Sequence, residues 1–230
     1  MDVSTTTTAT TRPFETENLS EKIHQVFERE SKKMIAAFIE FPWENEEAYA
    51  HWLAQSFYLV RHTTTYLCLT AGAMSYDNPE HHSFLLHHLR EETNHEKLAL
   101  NDQETLGWDL SQTPETFEAQ MMMQSQYYFI NKSAFAHYGF FWLLEKMAAE
   151  AGPVVVQRLR KHYGDSCITF LDLHAHEDVE HSREIGEAVA TFPKHVLTHV
   201  IRNMEQTGQL YCQMLKGIAE KCRHTKNHTV

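Results

Sequence analysis

Two segments of the sequence repeat one spacing of metal-binding side chains. Each has a histidine, a carboxylate four residues later and a second histidine three residues further on: His88, Glu92, His95 and His174, Asp178, His181. On an α-helix, positions four and seven residues along lie within about 40° of the starting residue, so each trio projects from one narrow stripe. The repeat therefore predicts a helical fold in which facing stripes enclose a metal site.

The side-chain types narrow the choice of metal. Seventeen histidines in 230 residues make one chance match unsurprising, with roughly 0.2 expected. Both trios nevertheless lie in segments that read as helix, and Glu145 adds a carboxylate in a third, otherwise apolar segment. Imidazole and carboxylate donors without thiolate suit iron, manganese or zinc, and facing helices that share such donors are typical of iron sites that react with dioxygen. We predict an iron oxidoreductase, with manganese as the alternative metal.

Length and composition predict a single folded domain. A chain of 230 residues that is 42% hydrophobic can bury a sizeable core. Residues 1–17 are rich in threonine and nearly free of core residues, so we expect a flexible tail there. The helical domain is expected over residues 18–222, and residues 223–230 are expected to form a C-terminal tail.

The charge, the apolar stretches and the cysteines of the sequence bear on its partners and its location. The net charge is −11 and no long basic run is present, which argues against a nucleic-acid surface. The apolar stretches are too short to span a membrane, and the N-terminus lacks the pattern of a signal peptide. The four cysteines form no CxxC pair and are expected to be reduced and buried. We expect a cytoplasmic protein that acts on a small molecule.

Proline, glycine and capping residues divide the chain into helical segments. Asn78 and Pro79 predict one helix start, Gly152 and Pro153 predict a break, and Asp165 predicts a cap for the helix that follows. No segment shows convincing strand alternation, so the predicted fold class is all-α. The predicted helices cover residues 19–40, 44–74, 79–106, 114–131, 133–150, 153–163, 165–191 and 193–222.

Three stretches resemble a known family. LREETNHEKLALNDQETLG contains Glu92 and His95, WLLEKM contains Glu145, and HAHEDVEH contains the second trio. Together they are similar to the heme-oxygenase-like diiron oxidases and oxygenases, relatives of the TenA and PqqC fold, over most of residues 19–222. The resemblance implies a seven-helix bundle without heme and with two irons. It also implies activation of dioxygen for N-oxygenation, oxidative decarboxylation or C–C cleavage of a small metabolite.

The resemblance also implies a ligand set, which we predict to be catalytic. One iron would take Glu92, His95 and His174. The other iron would take Glu145, Asp178 and His181, with a carboxylate such as Glu92 as a candidate bridge. Three carboxylates nearly neutralise two Fe(II) ions and leave coordination positions open for dioxygen and substrate.

Several residues near these ligands have two interpretations. Glu91 competes with Glu92, Glu177 with Asp178, and Glu150 with Glu145, but each is the weaker candidate by helical direction or burial. His88 is a ligand, a hydrogen-bonding neighbour of a ligand or a bystander. The other histidines near the start of that helix are expected at the surface: His81, His82 and His87.

Two further features bear on the substrate. Arg61 interrupts an apolar segment, where it either binds a substrate carboxylate or pairs with a glutamate. Eight aromatic residues between Tyr127 and Trp142 form either core packing or an apolar wall around the iron site. Our working hypothesis for the substrate is a small amino acid or carboxylate.

Two other functional classes fit part of the pattern. A ferritin-like iron-binding protein would also use carboxylate-x-x-His pairs. A metal-free TenA-like hydrolase would use a cysteine nucleophile, but no cysteine has an evident activating base and both trios would be unexplained. The family resemblance suggests a homodimer, and an external electron donor is compatible with the chemistry.

Overall fold

The structure is a computed structural model that describes residues 18–225, with side chains as far as Arg223. The expected tail at 1–17 and most of the expected tail at 223–230 lie outside the described residues. Helices fill the described part, and it contains no strand, which confirms the all-α fold class. The α-helices are α1 (Leu19–Glu40), α2 (Glu46–Val60), α3 (Thr63–Met74), α4 (Pro79–Glu91), α5 (His95–Thr105), α6 (Phe117–Lys132), α7 (Tyr138–Tyr163), α8 (Thr169–Ala190) and α9 (Leu197–Thr225). Single 3₁₀ turns precede α7 (Ala134–His137) and α9 (Lys194–Val196).

Two of the predicted helices are interrupted. The segment predicted as 44–74 divides into α2 and α3 at Arg61 and His62. The segment predicted as 79–106 divides into α4 and α5 where Asn94 adopts a left-handed backbone conformation with φ of 76°. Asparagine is one of the few non-glycine residues that tolerate this conformation. Counted as two interrupted helices, these pairs leave seven helical units between residues 18 and 225.

The predicted break at Gly152 and Pro153 is wrong, because α7 continues through it to Tyr163. Pro153 is exposed, and Gly152 is buried against α8. A Cβ atom at Gly152 would lie 2.8 Å from the Cβ of Ala175. Close packing of the two helices therefore outweighs the local cost of a proline inside a helix.

The predicted cap at Asp165 is also wrong. The helix begins four residues later, at Thr169, and Asp165 instead forms an ion pair with Arg160 at 2.6 Å. The capping carboxylate comes from Asp102 on α5, which accepts hydrogen bonds from the hydroxyl of Thr169 (2.7 Å) and the backbone N–H of Phe170 (2.8 Å). A carboxylate from another helix thus satisfies the N-terminus of α8.

Helix α7 occupies the middle of the bundle. It packs against α1, α8 and α9, while α2 packs against α5 and α3 packs against α4. Two glycines allow its closest approaches: Gly152 faces α8, and a Cβ at Gly139 would lie 2.6 Å from the carbonyl oxygen of Val200 on α9. Glu145 lies between these two glycines, so close packing on both sides fixes its position. None of the helices described is both long and apolar enough to cross a lipid bilayer.

Candidate metal centre

Seven histidine and carboxylate side chains from four helices converge inside the bundle. We call this set the candidate metal centre: His88, Glu92, His95, Glu145, His174, Asp178 and His181. The end of α4 and the break after it supply His88 and Glu92, and α5 begins with His95. Helix α7 contributes Glu145, and α8 contributes the remaining three. The two sequence trios therefore meet across the bundle.

The donors form two groups that share one carboxylate. In the first group, Glu92, His95 and His174 each offer one ligand atom, and these atoms lie within 4.8 Å of one another. In the second group the same holds for Glu92 with three further side chains: His88, Glu145 and His181. The membership of Glu92 in both groups places its carboxylate between two candidate metal positions.

The first group contains the three residues expected around one iron. Glu92 Oε2 lies 3.5 Å from His95 Nδ1. The imidazole rings of His95 and His174 are 5.0 Å apart between centroids and nearly perpendicular. His95 comes from the first residue of α5, so the Asn94 turn, rather than a continuous helix, brings it next to Glu92.

The second group differs in part from the expected set. Glu145 and His181 are present, but Asp178 lies outside the 4.8 Å grouping, and His88 lies inside it. His88 Nε2 is 2.9 Å from Glu145 Oε1, and the rings of His88 and His181 are 4.7 Å apart. The four-residue offset between His88 and Glu92 was the sequence signal for this position.

Asp178 nevertheless belongs to the same buried centre. It is 2% exposed, and its Oδ1 lies 3.6 Å from His181 Nδ1 without forming a hydrogen bond. Asp178 lies one helical turn after His174 and next to the second group. One of its two carboxylate oxygens, Oδ1, has no hydrogen-bond partner among the described residues.

The competing carboxylates lie farther out. Glu91 is about one-third exposed and contacts His181 Nε2 at 3.3 Å and His87 Nε2 at 3.2 Å. Glu150 is half exposed and pairs with Lys146, and Glu177 is exposed. Of these three, only Glu91 touches the candidate metal centre, and it does so from the solvent side.

The other candidate surface groups differ in burial. His87 is exposed, as predicted. His81 is half-buried, because its ring packs against Phe135, Tyr138 and Phe192, and its placement at the surface was wrong in that respect. His82 is also half-buried, with Nδ1 2.7 Å from the carbonyl oxygen of Ala71.

The buried charges of the centre perturb one another. Burial raises the pKa of Glu145, and the neighbouring imidazole of His88 only partly opposes this. Burial alone would also raise the pKa of Glu92, but the contact with His95 and the charges of His174 and His88 hold it at about 2. For His181, burial would lower the pKa, but contact with Asp178 and nearby carboxylates raises it to about 9. The centre thus favours a negative Glu92 that attracts cations.

The unpaired atoms of the centre fit bound metal ions. Four buried polar atoms here have no hydrogen-bond partner: His95 Nδ1, Glu145 Oε2, Asp178 Oδ1 and His181 Nδ1. Each buried polar atom left unpaired costs about 1–3 kcal/mol, so four of them at one locus would be expensive in a purely structural cluster. Metal coordination would satisfy carboxylate and imidazole lone pairs of this kind.

A hydrogen bond to the backbone orients His174. Its Nδ1 lies 2.7 Å from the carbonyl oxygen of Phe170. A donated Nδ1–H at that distance leaves Nε2 as the free lone pair, which is the usual arrangement of a metal-binding histidine. The N–H of the same Phe170 is held by Asp102, so the capping carboxylate also fixes the residue that orients His174.

A cavity of about 110 Å³ opens beside the centre. Five members of the candidate metal centre line one part of it: His88, Glu92, Glu145, His174 and Asp178. Most of the remaining wall is aromatic or aliphatic and includes Phe140 and Phe141 from the aromatic segment. Arg61 is not among the lining residues and lies 3.9 Å from Glu115 over the rings of Phe57 and Tyr58. The cavity is therefore apolar except near the candidate metal centre and at a few neutral groups.

Several solved structures are similar to this one. A domain of unknown function with a heme oxygenase-like fold, from Shewanella denitrificans OS217, has a TM-score of 0.72 and 17% identity, covering 94% of this chain and 96% of that chain. A TenA homolog from Pseudomonas syringae pv. tomato DC3000 has a TM-score of 0.74 and 10% identity, covering 88% and 93%. At these identities the likeness shows the fold alone. No curated protein matches the chain.

The sequence itself matches a protein family over residues 50–211. That range covers well over half of the chain and contains all seven side chains of the candidate metal centre. The description of the family is "iron-containing redox enzyme", and a buried set of imidazoles and carboxylates suits iron. The chain belongs to this family of iron-containing redox enzymes.

Proposed function

We propose that the protein is a dioxygen-dependent non-heme diiron oxidase or oxygenase that oxidises or cleaves a small amino-acid or carboxylate metabolite. The observation that carries the proposal is the pair of donor groups that share Glu92. A single metal position would not need donors on both sides of one buried carboxylate. Two positions bridged by a carboxylate are typical of helical diiron sites.

The residues divide between the two metals as follows. Glu92, His95 and His174 would hold one iron. Glu145, Asp178 and His181 would hold the other, with His88 as a further donor. When bound, two ferrous ions would supply electrons for the reduction of dioxygen.

The chain's own groups determine what can approach the metals. Three ionised carboxylates against two divalent cations leave one net positive charge, which favours an anionic substrate group at the cavity end of the centre. The rings of Phe140 and Phe141 exclude water from the adjacent wall. The hydrogen bond from His174 to the carbonyl oxygen of Phe170 would keep the His174 imidazole oriented toward its metal while substrate enters.

The metal-free hydrolase alternative has weaker support. None of the four cysteines lines the cavity described above. Burial raises the pKa of the thiol at Cys167, Cys212 and Cys222, which opposes formation of a thiolate nucleophile. The similarity to a TenA homolog is one of fold and therefore does not favour this activity.

A ferritin-like iron-binding protein remains the second candidate. It would use the same donors, but it has no need of an apolar cavity beside them. The two functions differ in whether an organic substrate accelerates dioxygen consumption.

Anaerobic loading with Fe(II) tests the proposal. We expect two tightly bound irons per chain in the wild type, followed by an absorbance change on mixing with air-saturated buffer. His181→Ala and His95→Ala should each reduce the iron content to about one per chain, since each removes a donor from one group only.

His176→Ala is the matched control, because His176 lies on the same helix but its side chain is 78% exposed and belongs to neither group. It should retain two irons. Less than one iron per chain in the wild type, or equal binding by His181→Ala, would contradict the diiron proposal. Two irons with no effect of any small metabolite on dioxygen consumption would favour the ferritin-like function.

A further inference from the structure

We propose that His137 forms a second polar contact point in the cavity and selects a ligand with a neutral hydrogen-bond acceptor a few bonds from the group that faces the candidate metal centre. This proposal rests on the proposed function in one respect only: the first group of the ligand is taken to face the metals. The reaction with dioxygen is not required for it.

The polar side chains on the cavity wall away from the candidate metal centre are neutral. Beyond the candidate metal centre, the lining contains no lysine or arginine. Its neutral polar side chains are Ser56, Thr63, His137 and Tyr211. The hydroxyl of Tyr211 already accepts a hydrogen bond from Trp52 Nε1 at 3.1 Å. A charged ligand group on the wall away from the candidate metal centre would therefore be buried without a counterion, and burial of an unpaired charge costs free energy.

His137 is fixed from one side and open on the other. It is 1% exposed, and its Nδ1 lies 3.1 Å from the hydroxyl oxygen of Thr70. That hydroxyl is fully buried and has no other hydrogen-bond partner in the described part of the chain, so its proton would be left without an acceptor if Nδ1 were the donor. We therefore assign the hydroxyl as the donor and Nδ1 as the acceptor. The ring proton of His137 is then on Nε2, which has no protein partner among those residues.

The surroundings keep this imidazole neutral. Its ring lies against three aromatic rings, those of Tyr66, Phe140 and Phe141. Burial, with a smaller contribution from the charge of His88, lowers the pKa of His137 to about 3. Among the described residues, the side chains that contact the ring are those of Thr70, Tyr66, Phe140 and Phe141, and none of them is a carboxylate that would support a cation, so Nε2–H acts as a neutral donor. A carbonyl, ether or hydroxyl oxygen is the complementary group.

The distance between the two polar points limits the length of the ligand. Phe141 contacts both imidazoles, with its ring centroid 4.8 Å from His137 and 5.8 Å from His88. These two distances place the imidazole centroids of His137 and His88 no more than roughly 11 Å apart, so a ligand that reaches both spans at most about nine bonds at ~1.2 Å per bond. A six-carbon acid with a terminal oxygen lies within this limit, and its methylene groups would contact the apolar wall.

Two probes that differ by one oxygen test the proposal: hexanoate and 6-hydroxyhexanoate. Their dissociation constants are measured by calorimetry, without dioxygen, on protein loaded with Fe(II) and separately with Zn(II). The wild type should bind 6-hydroxyhexanoate about three to ten times more tightly, which is the range expected for one neutral hydrogen bond. His137→Phe keeps the aromatic bulk and should bind both probes equally.

Two further measurements make the result specific. His51→Gln is the matched control, because His51 is also a buried neutral histidine but does not line the cavity, and it should keep the preference. In wild-type protein with ¹⁵N-labelled histidine, 6-hydroxyhexanoate should shift the Nε2 resonance of His137, and hexanoate should not. This second readout holds even when His137→Phe fails to fold.

The outcomes separate this proposal from the proposed function. Equal affinity for the two probes, a preference that survives in His137→Phe, or no binding of either probe would overturn the role of His137. The protein could prefer 6-hydroxyhexanoate over hexanoate with both Zn(II) and Fe(II) and yet fail to react with dioxygen. That result would support the role of His137 and contradict only the proposed oxidase function.

Discussion

Gly152 and Ala175 pack directly against each other where α7 crosses α8, and a Cβ at Gly152 would come within 2.8 Å of the Ala175 methyl carbon. Glu145 lies two helical turns before this crossing, and Asp178 lies about one turn after it. The separation of these two carboxylates is therefore set by a contact between two residues that bind nothing themselves.

Gly152→Ala tests the importance of that contact. The added methyl group forces α7 and α8 apart, and overpacking of this kind costs typically about 1–3 kcal/mol of unfolding free energy. We expect a loss in that range in urea unfolding, together with weaker binding of Fe(II). Gly217→Ala is the control, since its Cβ would meet no atom within 4 Å, and it should stabilise α9 by up to ~1 kcal/mol. Equal stabilisation by Gly152→Ala and Gly217→Ala would show that α7 and α8 are far enough apart at their crossing to accommodate a methyl group.

Asp102→Ala should destabilise α8 at its N-terminus. The substitution removes the acceptor for the Thr169 hydroxyl and for the buried N–H of Phe170, and an unpaired buried donor costs about 1–3 kcal/mol. Thermal unfolding should show the loss. Asp165→Ala removes an exposed carboxylate that pairs with Arg160, and it should change stability by less than about 1 kcal/mol. A larger effect at Asp165 would mean that it, and not Asp102, caps the helix.

Glu92→Gln should weaken both metal positions at once. In the wild type, Fe(II) added without dioxygen should raise the melting temperature, because the metal binds the folded state and not the unfolded one. This rise should be largely lost in Glu92→Gln, since the carboxylate belongs to both donor groups, and should be unchanged in Glu177→Gln, whose side chain is exposed. Removal of the metal by a chelator should reverse the rise. A full rise in Glu92→Gln would exclude a shared ligand.

His51 should make stability depend on pH below neutrality. Burial, assisted by the charge of Lys221, lowers the pKa of His51 from 6.5 to about 4. Below pH 6.5 the unfolded chain takes up a proton at His51 that the folded chain does not, so unfolding free energy declines as pH falls from 6.5 to 4 and this contribution levels off below 4. Urea unfolding at several pH values should show a weaker decline in His51→Gln than in the wild type. Parallel curves for the two proteins would mean that His51 is protonated equally in both states.

The sequence predicted the features that depend on local spacing. The start of α4 at Pro79 follows from its position after Asn78. The four-residue spacing that pairs Asp178 with His174 places both on one face of α8, and the apolar segment around Glu145 is buried as expected. The spacing of side chains along a helix and the residues that begin or end it depend on neighbours in the chain, so both can be predicted without knowledge of the fold.

Other features depend on residues far apart in the chain. The cap of α8 comes from Asp102, more than sixty residues earlier, and no pattern near Thr169 indicates it. The passage of α7 through Pro153 depends on Gly152 packing against α8. His137 lies in the aromatic segment between Tyr127 and Trp142, but no spacing to another histidine or carboxylate singled it out, and its position in the cavity becomes evident only when Thr70 and Phe141 are placed beside it. Tertiary packing decided each of these, as it often does against local propensity.

The interruption at Asn94 lies between Glu92, the C-terminal cap of α4, and His95, the first residue of α5. In one continuous helix their donor atoms would be held at a spacing dictated by a 1.5 Å rise per residue, and no substitution could change it without unwinding the backbone. With Glu92, Thr93 and Asn94 as a three-residue joint between α4 and α5, rotation about a few backbone bonds can change the distance between these donor atoms while both helices stay intact. Substitutions at Thr93 or Asn94 can therefore change the spacing of the two donors while every side chain of the candidate metal centre is retained.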